Sequence, residues 1–135
     1  MYQSETTVRV RYGETDQMAY VYYGNYAMYY EVARVEGLRQ LGVTYKELEA
    51  MGVMMPVLEY HSKFLAPGRY DELLRIVTII HDKPTVKIKF SFETFNEENK
   101  LINQGEAILA FVNMETGRPC KPPEKMMKAL DPYFK

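Results

Sequence analysis

Residues 25 to 41 constrain the fold of this chain more than any other stretch. On a helix, Tyr26, Tyr30, Ala33 and Gly37 fall on one face, and Met28, Val32, Val35 and Leu38 on a neighbouring one. The spacing therefore predicts a helix from Asn25 to about Leu41 that is apolar around much of its circumference. Such a helix needs cover on several sides. Ala33 and Gly37 are small enough to admit another backbone at close range. Glu31, Arg34, Glu36 and Arg39 can pair at i,i+3 spacing, and Gly42 is a natural C-terminal stop.

The cover has to come from strands. Thr6, Val8, Val10 and Tyr12 alternate with Thr7, Arg9 and Arg11, the period of a half-buried strand over residues 6 to 12, with Tyr12 pointing inward. Four further strands are expected at roughly 54 to 65, 71 to 81, 85 to 95 and 101 to 113. They are separated by Ala66-Pro67-Gly68, Asp82-Lys83-Pro84 and Asn96-Glu97-Glu98-Asn99. The third sets Val86, Ile88, Phe90 and Phe92 against Lys87, Lys89, Ser91 and Glu93. Connections this short imply antiparallel neighbours, whereas the first strand is separated from the rest by the helix. Thr44-Tyr45-Lys46-Glu47 reads as a capping box opening a short helix that ends near Gly52, a connector and not a site. Pro122-Pro123-Glu124 introduces a terminal helix over Lys125 to Leu130. The fold class that follows is α+β, one helix wrapped by one curved antiparallel sheet, and 135 residues with 47% apolar content suit one such domain, 1–135.

Charge and cysteine usage narrow the function. With 17 basic and 18 acidic residues spread along the chain there is no basic stripe, so no nucleic-acid partner is expected. Cys120 is the only cysteine, which excludes an internal disulfide and gives no metal-ligand spacing; a reducing cytoplasm is the simplest location. The first residues carry no signal-peptide pattern, and no apolar run approaches the roughly 20 residues of a membrane span. A soluble, unprocessed chain is the expectation.

Few residues carry chemistry. Asp16 stands alone in the polar loop ahead of the long helix, where a turn carboxylate and a catalytic one share the same local sequence. His61 and His81 lie on predicted strands beside Ser62 and Asp82, and adjacent strand residues face opposite ways, so neither pair forms a dyad. Cys120 has no local partner to activate it. Tyr20, Tyr22, Tyr23, Tyr26, Tyr29 and Tyr30 form either an aromatic pocket or a packing and subunit interface. Phosphate loop, serine elbow and zinc-protease motifs are absent. What remains is a reaction that one carboxylate can run.

Tyr12-Gly13-Glu14-Thr15-Asp16, Val21-Tyr22-Tyr23-Gly24-Asn25-Tyr26, Tyr30-Glu31-Val32-Ala33-Arg34 and Leu65-Ala66-Pro67-Gly68-Arg69-Tyr70-Asp71-Glu72-Leu73 resemble the hotdog-fold acyl-CoA thioesterases of the 4-hydroxybenzoyl-CoA thioesterase type. The resemblance implies a five-stranded antiparallel sheet around a long central helix, and hydrolysis of an acyl thioester to free acid and thiol. It places the catalytic aspartate at Asp16 with Tyr12 beside it, and the oxyanion donor at the backbone N–H around Tyr23 and Gly24. Asn25 would cap the helix or touch substrate, and Tyr12, Asn25 and Tyr26 form the substrate-binding set. Asp16 would act either as nucleophile, through a mixed anhydride, or as general base on water. The thiol carrier is coenzyme A or an acyl carrier protein, and no separate cofactor is implied, coenzyme A being part of the substrate. Lys63, Arg69, Arg75, Lys87 and Lys89 are the cations available to its nucleotide. Sites in that family lie between subunits, which implies a homodimer or homotetramer.

Two positions depart from the family. Many bacterial members have histidine where this chain has Tyr23, although the 4-hydroxybenzoyl-CoA branch resembles this chain in having tyrosine; no role of that histidine carries over. Ala19 replaces a usual glycine, which implies different backbone angles there or an altered acyl pocket. The competing readings are a hotdog dehydratase or hydratase, which would want a histidine and an acid near the helix, a non-catalytic acyl-CoA or acyl-carrier binding module, and an interaction protein using its tyrosines.

Overall fold

Strand alternation and one crossover decide the architecture. The computed structural model describes Met1–Lys135. Its elements are β1 (Tyr2–Arg9), α1 (Asn25–Gln40), α2 (Tyr45–Ala50), β2 (Val53–Met54), β3 (Val57–Phe64), β4 (Leu73–Ile80), β5 (Lys87–Phe95), β6 (Leu101–Ala110), β7 (Val112–Asn113) and α3 (Glu124–Leu130). Five strands form one antiparallel sheet in the order β1-β4-β5-β6-β3, and β2 pairs with β7 in a separate ribbon. No helix is long and apolar enough to cross a membrane.

The β4–β5 and β5–β6 connections are the expected hairpins, but Ala66-Pro67-Gly68 does not turn one. It begins a crossover between the two edges of the sheet: β3 ends beside β6, and β4 starts beside β1. The crossover is held at its far end by β1, where Val10 N–H donates to Glu72 O at 2.9 Å and Asp71 N–H donates to Val10 O at 2.9 Å. Met55-Pro56 breaks the expected strand 54–65 into β2 and β3, proline having no N–H to give a ladder. The strand expected over 101–113 divides likewise into β6 and β7.

β1 starts earlier and stops sooner than its alternation suggests. The inward phase holds for Tyr2, Ser4, Val8 and Val10, but after Arg9 the chain leaves the ladder and makes a 3-10 turn at Tyr12–Glu14. Tyr12 therefore points outward, 79% exposed, edge-on against Tyr70 with ring centroids 5.7 Å apart. Val86 also lies outside its strand and is exposed, whereas Ile88, Phe90 and Phe92 are buried as their spacing demands.

α1 lies on the inner face of the sheet and ends before Gly42, as its pattern predicts. Its buried side carries Tyr26, Tyr29, Tyr30, Ala33, Gly37 and Leu38. A Cβ on Gly37 would come 2.7 Å from Ser4 Oγ, so the close approach is to side chains of the sheet, Ser4 and Thr78, and not to another backbone. Tyr30 fixes the helix most firmly. Its ring stacks on Phe92 at 4.5 Å and lies over Gly105, and its hydroxyl bonds Thr94 Oγ1 at 2.8 Å and Asn103 Oδ1, which also accepts from Ser62 Oγ at 3.0 Å.

The second apolar face of α1 is covered only at its C-terminal end: Leu38 is buried, whereas Met28 and Val32 are 47% and 45% exposed. Nor does Glu31 pair with Arg34. Arg34 turns into the protein and donates from Nε to Tyr45 Oη at 2.8 Å, leaving Glu36–Arg39, at 3.2 Å, as the i,i+3 pair that forms. The box at Thr44 is half made. Thr44 Oγ1 accepts from Glu47 N–H at 3.1 Å, but the Glu47 carboxylate goes to Lys125.

Gly105 exists in its present form because of Tyr30: a Cβ there would stand 2.5 Å from the ring. Gly105→Ala should therefore cost about 1–3 kcal/mol, the usual range for overpacking a filled core. A urea midpoint unchanged from wild type would contradict this packing.

Candidate active site

The loop between β1 and α1 is built on Glu14, a carboxylate only 7% exposed. It accepts from the Arg11 backbone N–H at 2.9 Å, from Arg11 Nε and Nη2 at 3.1 and 2.9 Å, and from Tyr29 Oη at 2.9 Å. Its own carbonyl accepts from Tyr22 N–H at 2.9 Å and Asn25 Nδ2 at 2.8 Å. Burial pushes the Glu14 carboxyl up. The donors from Arg11 and Tyr29, with the Arg11 charge, outweigh it and hold the group below the ordinary glutamate range. Tyr29 responds in the opposite sense, its phenol pushed up by burial and by its bond to Glu14.

Asp16 follows in a tight turn. Its N–H donates to Tyr20 O at 2.8 Å, its carbonyl accepts from Ala19 N–H at 3.0 Å, and its Oδ1 accepts from the amides of Met18 and Tyr20 at 2.9 and 3.3 Å. Oδ2 makes no hydrogen bond within the chain. Ala19 closes this turn with φ +64°, in the left-handed region that glycine adopts freely. The loop therefore keeps a glycine-like conformation at Ala19 and bears the strain.

The chain then enters α1. Asn25 N–H donates to Tyr22 O at 2.9 Å and Tyr26 N–H to Tyr23 O at 3.4 Å, while the amides of Tyr23 and Gly24 donate to nothing in the chain. No side chain caps this end. With Ala27, three N–H groups are thus left at the positive end of the helix dipole.

The crossover after β3 closes the other side. Gly68 O accepts from Val21 N–H at 2.8 Å, and a Cβ on Gly68 would lie 3.1 Å from both Tyr26 Oη and Val21 Cγ2. The Arg69 guanidinium sits 5.1 Å above the Tyr20 ring. Between the two loops lies a cavity of about 300 Å³ with Asp16 on its wall, lined otherwise by Met18, Tyr20, Tyr23, Tyr26, Phe64 and the 65–68 segment. Burial, and next the charge of Glu72, push the Tyr26 phenol up to about 12, so it stays protonated at neutral pH. A single carboxylate on the wall of an apolar, tyrosine-lined cavity is suited to act on a bound acyl group.

Of the candidate residues, the structure brings Asp16, Tyr23 and Tyr26 together on this cavity. Gly24 opens onto a separate groove between α1 and β3. Tyr12 stands outside both, and the Asn25 side chain serves the Glu14 carbonyl. The tyrosine cluster divides: Tyr20, Tyr23 and Tyr26 line the cavity, Tyr22 packs on Tyr23 at 4.5 Å, and Tyr29 and Tyr30 belong to the core. His61 and His81 lie on the opposite face of the sheet, both exposed, His61 Nε2 being 3.7 Å from Glu59. No group of three or more metal-ligating side chains converges anywhere. Among the candidate cations, Lys89 and Arg75 are paired with Glu106 and Glu5, each at 3.0 Å, and Arg69 stands beside the cavity. Sequence reasoning missed the Glu14–Tyr29 clasp and the wall formed by Phe64 and Gly68. The i,i+3 spacing of Arg11 and Glu14 was the one local signal of the clasp.

Comparison with known proteins identifies the family and the fold. The family described as the thioesterase-like superfamily matches residues 10–130. The acyl-CoA thioester hydrolase YbgC of Escherichia coli O157:H7 is 32% identical over 120 residues, covering 89% of this chain and 90% of its own. The structure of DHNA-CoA thioesterase from Staphylococcus aureus matches with a TM-score of 0.86 at 30% identity, over 99% of this chain and 85% of that one. A hypothetical protein from Thermus thermophilus matches with a TM-score of 0.89 at 34% identity, over 95% and 97% of the two chains.

Glu14→Ala should cost about 2–3 kcal/mol, the scale of hydrogen bonds to a buried charged group. Because the folded-state carboxyl lies below its unfolded value, Glu14 contributes fully above roughly pH 4.3 and the contribution fades as pH falls through the lower, folded value. Urea midpoints between pH 7 and pH 3 should therefore fall more steeply for wild type than for Glu14→Gln. Ala19→Gly should change stability by less than about 1 kcal/mol, since relief of left-handed strain is offset by added freedom in the unfolded chain. Calorimetry reads the difference.

Proposed function

The chain belongs to the thioesterase-like superfamily, and we propose that it hydrolyses an acyl-CoA thioester, with Asp16 as the acting carboxylate and the amides of Tyr23 and Gly24 as the oxyanion hole. One observation carries the reading: a carboxylate with one anchored and one free oxygen shares a cavity with Tyr23, whose amide has no partner in the chain. The anchored Oδ1 sets the direction of the group, so Oδ2 is the atom that acts. It either attacks the thioester carbonyl, giving a mixed anhydride and a thiolate, or removes a proton from water that attacks in its place.

The leaving group makes a lone carboxylate sufficient. A thiol with a pKa of roughly 8.5 departs as thiolate with little help from a general acid, unlike an alkoxide or amine. The difficulty lies in the charge that develops on the carbonyl oxygen. Two unpaired amides at a helix N-terminus meet it, and one such donor is worth on the order of 3 kcal/mol in the barrier. Tyr23 and Tyr26 supply apolar wall and position the acyl group. Arg69, beside the cavity, is the cation best placed for the negatively charged end of coenzyme A.

The functional unit is a homodimer. β3 pairs only with β6, and its free edge carries Val57, Leu58, Tyr60 and Phe64 in exposed positions. An unpaired edge this apolar is suited to antiparallel pairing with a second copy, which would bring the cavity at Phe64 to the subunit boundary.

Thiol release should be saturable with acyl-CoAs and should fall by about 10²–10⁴ in Asp16→Asn, the scale of a lost general base. A folded Asp16→Asn protein with near-normal turnover would overturn the assignment. Sedimentation should return at least twice the mass of one chain.

A further inference from the structure

Tyr26 carries a hydroxyl with nothing in the chain to bond. Four tyrosines are buried, and three of them use their hydroxyls: Tyr2 donates to Gly37 O at 2.6 Å, Tyr29 donates to Glu14 Oε1 at 2.9 Å, and Tyr30 bonds Thr94 Oγ1 at 2.8 Å. The fourth, Tyr26, is 2% exposed and its Oη makes no hydrogen bond. A buried phenol ordinarily finds a partner, because taking its O–H out of water otherwise goes uncompensated. Nor is this oxygen sealed in: the side-chain atoms enclosed without a partner are Thr78 Oγ1 and Asn103 Nδ2. Tyr26 lines the cavity that holds Asp16, and its hydroxyl opens there. The donor is also fixed in place. Its ring stands edge-on to Phe64 and to Tyr29, with centroids 5.7 Å away in each case, and a Cβ on Gly68 would lie 3.1 Å from Oη.

We infer that the Tyr26 hydroxyl is a specificity-determining donor, and that the acyl group received by this cavity carries a neutral acceptor oxygen, a hydroxyl or a ketone, beside it. The inference rests on the thioesterase reading and narrows its substrate class. An apolar acyl chain that fills the cavity shuts the hydroxyl off from solvent and leaves it unpaired; an oxygenated chain gives it an acceptor. A site that holds a buried polar group for its substrate rejects the analogue lacking the counterpart, whereas an apolar pocket discriminates only weakly. Charge on the wall argues for a neutral oxygen over a carboxylate. Asp16 lies on it, no cation does, and Glu72 is close enough for its charge to act on Tyr26. The same charge and burial keep the phenol protonated, and so a donor, at neutral pH. At about 300 Å³ the cavity is at the small end of ligand sites, which suits a short chain.

The test separates binding from turnover. Calorimetry on the Asp16→Asn protein, with Tyr26 intact and as Tyr26→Phe, compares butyryl-CoA with 3-hydroxybutyryl-CoA, pentanoyl-CoA with 4-oxopentanoyl-CoA, and hexanoyl-CoA with 5-oxohexanoyl-CoA. The oxygen moves one carbon along the chain from pair to pair, which scans its distance from the thioester. With Tyr26 intact the oxygenated member of at least one pair should bind about tenfold more tightly, and in Tyr26→Phe the two members should agree within about twofold. Tyr26→Phe keeps the ring contacts and removes a hydroxyl that no residue bonds, so its urea midpoint without ligand should not fall; a lower midpoint would show a structural role and overturn the inference. Equal affinities in all three pairs, absence of binding, or a preference that survives Tyr26→Phe would each overturn it. So would an equal loss for both members in Tyr26→Phe, which would put the hydroxyl on the thioester common to them. Wild-type thiol release from butyryl-CoA and hexanoyl-CoA tests the underlying reading separately. A Tyr26-dependent preference in a wild type that releases no thiol would remove the hydrolase and leave the donor.

Discussion

The buried carboxylate of Glu14 holds together three pieces of chain that have no other strong reason to meet. Its side chain takes the Arg11 amide and guanidinium at the end of β1 and the Tyr29 hydroxyl from α1, and its backbone carbonyl takes Tyr22 and Asn25 at the helix entrance. Burial alone would favour protonation, and the donors around it reverse that, so the charged form is the one the fold stabilises. Asp16, two residues later, inherits its position from this clasp. Asp16 is partly buried and bonded by only two amides; Glu14 is enclosed and bonded by Arg11 and Tyr29. Two acids of one loop thus differ by environment alone: one is enclosed by donors, and the other keeps an unbonded oxygen at the cavity wall.

The other half of the site depends on where α1 begins, and that is set from inside the core. Tyr30 over Gly105, stacked on Phe92 and bonded to Thr94 and Asn103, fixes the helix against the middle of the sheet. The Gly68 carbonyl and Val21 amide then tie the crossover to the loop across the cavity. Amides that must meet a developing charge gain most when they do not have to reorganise, and this helix end is held on both sides. The opposite side of α1 is built differently. Met28 and Val32 are uncovered, Arg34 is buried without an anion, and the neighbouring β3 edge is unpaired. Met28, Arg34 and the exposed β3 residues Val57 and Tyr60 meet in one groove on this side.

Much of this was legible along the chain. The helix from Asn25, its small Gly37, the inward phase of Ile88, Phe90 and Phe92, and the α+β class all follow from periodicity, because burial of one face imposes a repeat that survives in a single sequence. The aspartate, the tyrosines and the helix start were visible as residues, and the family resemblance gave them a provisional arrangement. Local reasoning went wrong where two elements compete for the same residues. Tyr12 fitted a strand alternation but was taken by the turn that Glu14 organises, and Arg34 fitted an ion pair with Glu31 but was taken inward by Tyr45.

What the sequence determined by itself was therefore the set of elements and the chemistry available: one apolar helix, strands of the right period, and two acids, Glu14 and Asp16, in a loop with no histidine or cysteine beside them. The tertiary structure alone decided that the 65–72 segment crosses between sheet edges instead of turning a hairpin, and so brings Phe64 and Gly68 opposite Asp16. It alone left the Tyr23 and Gly24 amides free and Arg34 without an anion. The reason is physical. Periodicity records which side of an element is buried, a property of neighbours along the chain; a site depends on which donors and charges remain unpaired once distant segments have packed, and nothing in the local order of residues encodes that remainder.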